Sequence, residues 1–165
     1  MKHIIILRGP SGAGKSTIAK ILRKKMNGKT AILCPDPFYH EISGKELNRD
    51  IVYGALYTLT DFYLKKGYNI ILEGLLTNVK NKKMRIEKFM KLGKRRSAKL
   101  TLFFLNVDVD TCMKRRDRTK YKISKNDVRI MHTKSISSRR NDEIKIEVKN
   151  KKPENIVKEI LSYLK

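Results

Sequence analysis

Residues 1–25 read MKHIIILRGPSGAGKSTIAKILRKK. An apolar run from Ile4 to Leu7 meets a stretch carrying Gly9, Gly12 and Gly14, and a helical apolar spacing begins immediately after it. From Gly9 to Ser16 the stretch satisfies G-x-x-x-x-G-K-[ST] in full, with an apolar strand before it and a helix after it, the context this motif requires. A phosphate chain can be wrapped only by backbone N–H groups that point inward, and side chains would block the approach, so small residues suit the loop. The helix starting near Lys15 aims its positive end at the same anion. Gly9, Ser11, Gly12, Ala13 and Gly14 therefore form a cradle for a nucleoside triphosphate. Lys15 is placed to hold the β- and γ-phosphates, Ser16 to put a hydroxyl on Mg²⁺, and Thr17 to support the first helical turn. The motif specifies what is bound and leaves the reaction open.

Outward from this loop, short strand-like runs alternate with longer helical ones. His3–Leu7 reads as a strand and Lys15–Met26 as a helix stopped by Asn27-Gly28. A second strand spans Thr30–Cys34 and ends at Pro35 and Pro37. Helical spacing follows over Glu46–Lys66 through Leu47, Ile51, Leu56, Leu59 and Phe62, with Gly67 as its stop. Tyr68–Leu72 is a third strand, a basic helix over Val79–Leu92 ends at Gly93, and Lys99–Val107 is a fourth strand. Asp108 or Asp110 caps a helix to Thr119, Ser124 caps another over 125–134, Glu143–Val148 is a fifth strand, and Pro153 opens a last helix to Leu164. The alternation predicts a three-layer α/β/α domain over residues 1–165 with a five-stranded parallel sheet. Lys120–Asn141 is the least globular stretch, either a mobile flap or a solvated surface.

The chain has 165 residues, 40% of them hydrophobic, enough for a buried core. No apolar run approaches the ~20 residues that cross a membrane. Cys34 and Cys112 are far apart and lack metal-ligand spacing, so they read as two reduced, buried thiols and point to the cytoplasm. Lys and Arg total 39 against 16 Asp and Glu, a formal charge of +23. Such a surface attracts nucleic acids and nucleotides, although the basic residues are scattered and accompany the Lys, Ile and Asn of an AT-rich composition.

GPSGAGKST, Asp36 in LCPDPFY and the arginine-bearing CMKRRDR together resemble the small P-loop kinases typified by polynucleotide kinases, zeta toxins and chloramphenicol phosphotransferase. The resemblance covers nearly the whole chain in order of elements. It implies a P-loop NTPase fold and an ATP- and Mg²⁺-dependent kinase. It also implies that Asp36 accepts the proton of an attacking hydroxyl, whose neutral form attacks phosphorus poorly. An aspartate beside proline equally suits an Asx turn. Glu73, ending the third strand, corresponds to the acidic residue that holds a water of the Mg²⁺ shell, or else it caps the next element. Arg115, Arg116 and Arg118 fall where related kinases carry lid arginines, on a mobile lid around 110–140. Arg115 and Arg118, three apart on one helix face, are the catalytic candidates, and Arg118 is also a nucleotide ligand. By the same resemblance Asn150–Pro153 borders the nucleobase.

The acceptor pocket is expected between Asp36 and the following helix, with Phe38, Tyr39, His40, Glu41, Arg49 and Tyr53 in range and Arg49 able to meet a phosphate. Polynucleotide kinases carry an arginine three residues past the base, where this chain has Tyr39. Three functions remain: a kinase for a nucleic-acid or nucleotide-like hydroxyl, a kinase for a small metabolite or drug, and a nucleotide-binding regulator without an acceptor. The arginine helix argues against the last. The oligomeric state stays open.

Overall fold

The computed structural model describes residues 1–42, 48–74, 85–118 and 123–164, with Arg118 described through its backbone only. The strands β1 (Lys2–Arg8), β2 (Thr30–Leu33), β3 (Asn69–Glu73), β4 (Ala98–Asn106) and β5 (Ile144–Glu147) pair in the order β2-β3-β1-β4-β5. Every pairing is parallel. Around them lie α1 (Lys15–Lys25), α2 (Arg49–Lys65), α3 (Arg85–Arg95), α4 (Val109–Arg115), α5 (Lys125–Ser137) and α6 (Pro153–Ser162). A π-helical turn covers Phe38–Ile42 and a 3₁₀ turn covers Arg116–Arg118.

β1 explains the layering. Ile4 to Leu7 are all fully buried, because a parallel strand in the middle of a sheet is covered on both faces. Ile5 and Leu7 join a core with Ile18, Ala19 and Leu22 of α1 and with the α6 residues Ile156, Val157 and Ile160. Ile4 and Ile6 point the other way, into a core with Val52 and Leu56 of α2 and Ile86, Phe89 and Leu92 of α3. Each such side chain contributes about 1.5–3 kcal/mol on full burial, so one strand fastens two helical layers. The result is the expected three-layer α/β/α fold. Among the described residues, no helix is long and apolar enough to cross a membrane.

The helix ends follow local chemistry. Asn48, Asp108 and Ser124 accept hydrogen bonds from the backbone N–H groups of Asp50, Thr111 and Asp127, and Pro153 opens α6. Three expectations need correction. In the second helix Leu47 lies outside the described residues, and Ile51 and Phe62 are exposed. Its buried stripe is instead Val52, Leu56, Thr60 and Leu64, with the Thr60 hydroxyl donating to Leu56 O at 2.7 Å. Gly93 does not end α3, which runs on to Arg95. A Cβ at Gly93 would stand 3.1 Å from Ala98 O, so glycine is there to let α3 approach the start of β4. The helix expected after Ser124 is α5, which runs on to Ser137 with Val128 and Ser135 buried. Cys34 is only half-buried, whereas Cys112 is buried, and both are free thiols. The 79–84 part of the basic helix, including Met84, lies outside the described residues. Further on, Phe89 is buried and Met90 is half-buried against the core of the α2 and α3 layer.

Candidate active site

Register brings the site together. Leu7 pairs with Glu73 and Leu33 with Leu72, so the glycine loop, Glu73 and the Pro35–Pro37 turn emerge at one carboxyl rim of the sheet. Open α/β sheets hold ligands at this rim.

The glycine loop is shaped by what lies beneath it. Gly12 has φ 82, and a Cβ there would fall 2.9 Å from Cys112 O of α4. Any side chain would be strained and would push the loop off α4. Gly14 caps α1 without a side-chain hydrogen bond, and the first turn of α1 holds no acidic residue. The positive end of that helix thus carries no acidic side chain of its own first turn.

Lys15 Nζ donates to the loop carbonyls of Gly9 at 3.0 Å and Pro10 at 2.9 Å. Burial pulls its pKa down, and the carboxylates of Glu73 and Asp36 partly oppose this. Glu73 is 7% exposed. Burial raises its pKa, against the hydrogen bond from Ser16 and the charge of Lys15. Its Oε2 is buried and meets no hydrogen-bond donor among the described residues. Buried carboxylate oxygens are rarely left so. One orphaned hard oxygen beside an exposed serine hydroxyl suits Mg²⁺, which takes one or two protein oxygens and keeps several waters. Ser16 and Glu73 therefore fit the ion.

Asp36 is exposed on the same rim, within electrostatic reach of Lys15 and Glu73. The amide that an Asx turn at Asp36 would use, Phe38 N–H, donates to Pro35 O at 3.0 Å instead. Closing the turn thus falls to the backbone, and Asp36 is exposed to solvent. Phe38 and Tyr39 pack against the core of the α2 layer, and His40 is exposed. The ring of His132 bonds Val107 O through Nε2 at 2.9 Å and belongs to the α5 packing.

The arginine set divides. Arg115 ends α4 and its Nη1 donates to Gly12 O at 3.5 Å, so it lies on the glycine loop. Arg116 bonds its neighbour Asp117 at 2.9 Å. The side chain of Arg118 is outside the described residues. α4 stops at Arg115 and a 3₁₀ turn over Arg116–Arg118 follows.

Two arginines escaped the sequence reading. Arg8 is 1% exposed at the foot of the glycine loop. It pairs with the buried Glu143 and donates through Nη2 to Ser138 Oγ at 2.9 Å and Ser138 O at 3.1 Å. Glu143 in turn accepts from Arg140 N–H at 3.0 Å. A lone arginine closing an apolar strand was the available signal, since a buried guanidinium requires a carboxylate. Arg85, at the start of α3, lies over the ring of Tyr53, 4.3 Å from its centroid, and bonds Asp50 at 3.3 Å.

Residues 4–139 match the AAA_33 family, described as AAA domain. A comparison with curated sequences finds no match. Among solved structures, the chain is similar to the Mycobacterium tuberculosis APS kinase CysC in complex with AMPPNP and APS, at 14% identity and TM-score 0.71, covering 99% of this chain and 97% of that one. It is similar to the Deinococcus radiodurans tunicamycin resistance protein at 14% identity and TM-score 0.69, covering 99% and 96%. A chain of the Pnkp1/Rnl/Hen1 RNA repair complex matches at 17% identity and TM-score 0.61, over 83% of this chain and 45% of that one. The fold is that of the small P-loop kinases.

Proposed function

This chain belongs to the AAA domain family, and we propose that it is an ATP- and Mg²⁺-dependent phosphotransferase acting on a hydroxyl of a nucleic-acid or nucleotide-like acceptor. The observation that carries this reading is the grouping of Lys15, the orphaned Glu73 oxygen, Ser16 and the exposed Asp36 on one rim. The amides of Gly9 to Gly14 and the N-terminus of α1 bind the triphosphate. Lys15 leaves its loop carbonyls for the β- and γ-phosphates. Ser16 and Glu73 hold Mg²⁺, which when bound neutralises phosphate charge. Asp36 takes the proton of the attacking hydroxyl. Arg115 on the loop, with Arg118, stabilises charge on the transferred group, and closure of the 110–140 region brings that charge in where it favours the transition state.

Tyr39, standing where polynucleotide kinases carry an arginine, supports a second reading, a small-metabolite acceptor with the same chemistry. The test is transfer from γ-labelled ATP to RNA, DNA, nucleosides and a metabolite panel. A polyanionic acceptor's KM rises steeply between ~50 and 200 mM salt, and that of a neutral metabolite hardly moves. Binding of Mg·ATP with transfer to none of these acceptors would leave a nucleotide-binding regulator instead.

A further inference from the structure

β1 ends in a residue that the phosphotransfer reading leaves without a task. Arg8 immediately precedes Gly9, the first residue of the glycine loop, and its side chain is 1% exposed. Its guanidinium spends its donors on two partners. Nη1 donates to Glu143, whose side chain is fully buried just before β5. Nη2 donates to the hydroxyl and to the carbonyl of Ser138, at 2.9 and 3.1 Å. Ser138 is the C-cap of α5, and its hydroxyl passes a hydrogen bond on to Ser135 O at 3.2 Å, inside the last turn of that helix. One buried side chain therefore joins the start of the glycine loop to the end of α5, 130 residues further along the chain.

The loop side of this junction is equally close. Gly9 abuts β4, where a Cβ would stand 2.8 Å from Leu105 O. The Gly9 carbonyl holds Lys15 Nζ at 3.0 Å. Arg8, Gly9 and Lys15 thus run in series from the buried pair to the ammonium group that the triphosphate needs. On the other side α5 packs on α4, which ends at Arg115 with its Nη1 on Gly12 O. The loop and α5 are in this way linked at two points.

Stability alone is a poor account of the pair. Apolar side chains of similar volume often replace a buried ion pair with no loss, or with a gain. An apolar pair cannot supply direction, whereas a planar guanidinium sets the positions of Glu143 Oε1, Ser138 Oγ and Ser138 O at once. Resting on the reading above for the identity of the nucleotide, we propose that Arg8 is a positioning residue. Through Glu143 and Ser138 it holds the glycine loop and the end of α5 in one register, so that Mg·ATP seated on the loop is felt in the last turn of α5. Arg8 lies beneath the loop and acts on the nucleotide through Gly9 and Lys15.

Two variants test this. Arg8→Lys retains a cation for Glu143 but has no fork to span Glu143 and Ser138. Arg8→Met combined with Glu143→Gln removes both charges and keeps an acceptor for Arg140 N–H. The double variant should melt above Arg8→Met alone, because no lone charge is left buried. Affinity is read by calorimetry with Mg²⁺ and a non-hydrolysable ATP analogue, and α5 by amide hydrogen exchange with and without that analogue. In the wild-type chain the analogue should slow exchange from Lys134 to Ser138. Both variants should bind it by roughly fivefold or more weakly, the lower end of the coupling between linked sites, and their exchange over the same residues should no longer respond to it. Affinity that simply follows melting temperature across the variants overturns the proposal, as does a wild-type chain whose last α5 turn ignores the analogue. Neither readout uses an acceptor. Binding and coupling as expected, with transfer to no acceptor, would end the kinase reading and keep the role of Arg8.

Discussion

Two carboxylates of this fold have opposite fates. Asp61, on α2, is surrounded by cations: Arg96 grips it with both Nε at 2.6 Å and Nη2 at 3.1 Å, and Arg95 and Lys65 each approach to 3.2 Å. These partners, the Arg96 hydrogen bond first, hold its carboxyl well below the usual range. Glu73, at the rim, is buried with one oxygen lacking a donor, and desolvation raises its pKa. The first joins α2 to the end of α3, and its contacts are complete. The second leaves one buried oxygen without a donor among the described residues, a cost that a bound cation would offset. A buried carboxyl with a raised pKa and an oxygen lacking a donor points to a site in a way that a saturated one does not.

The contrast can be broken in order of effect. Lys15→Met removes the cation shared by loop, phosphates and Glu73, and nucleotide turnover should vanish, read as ADP release. Asp36→Asn should keep Mg·ATP affinity by calorimetry yet lose transfer by on the order of 10²-fold or more, the size of a lost general base. Normal transfer in that variant would return Asp36 to a structural role. Arg118→Ala should lower kcat more than it weakens ATP binding, and a pure rise in the KM for ATP would make Arg118 a ground-state ligand. Glu73→Gln should weaken the Mg²⁺ dependence of ATP binding and raise the melting temperature of the nucleotide-free protein. The sign follows from linkage. A carboxyl whose folded pKa lies above its unfolded 4.5 costs nothing at lower pH, and its cost grows as pH rises from 4.5 through the folded value. The gain in melting temperature should therefore appear above about pH 4.5 and disappear below it. Asp61→Asn should do the reverse. Its stabilisation is present above the unfolded 3.8 and is lost as pH falls through the depressed folded value, so the variant should melt a few degrees lower at neutral pH and converge with wild type in acid.

The order of strands and helices, the glycine loop and its lysine, and the rim position of Asp36 and Glu73 were all legible in the sequence. Each depends on local pattern: an apolar run, a fixed motif, a residue at a strand end. Legibility failed where tertiary packing decided. The stripe on α2 was misread on either side of Leu56, and at Thr60 the reason is plain: its hydroxyl bonds its own helix and so passes as a core residue. Gly93 mimicked a helix stop, but its purpose is contact with β4. Arg85 and Arg49 are 36 residues apart in sequence, with only unremarkable basic neighbours, and nothing in one dimension says that both start helices beside Asp36. Arg8 looked like the polar end of a strand, and its partners Ser138 and Glu143 lie more than 100 residues away.

That last tether reaches beyond the matched family segment, which closes at residue 139, before Glu143. An expression fragment trimmed to the family limits would strand a guanidinium in an apolar interior directly below the phosphate grip, a defect of about 3–5 kcal/mol where one member of a buried pair is removed. A piece that keeps Arg8 paired beneath the glycine loop must therefore run at least through the start of β5.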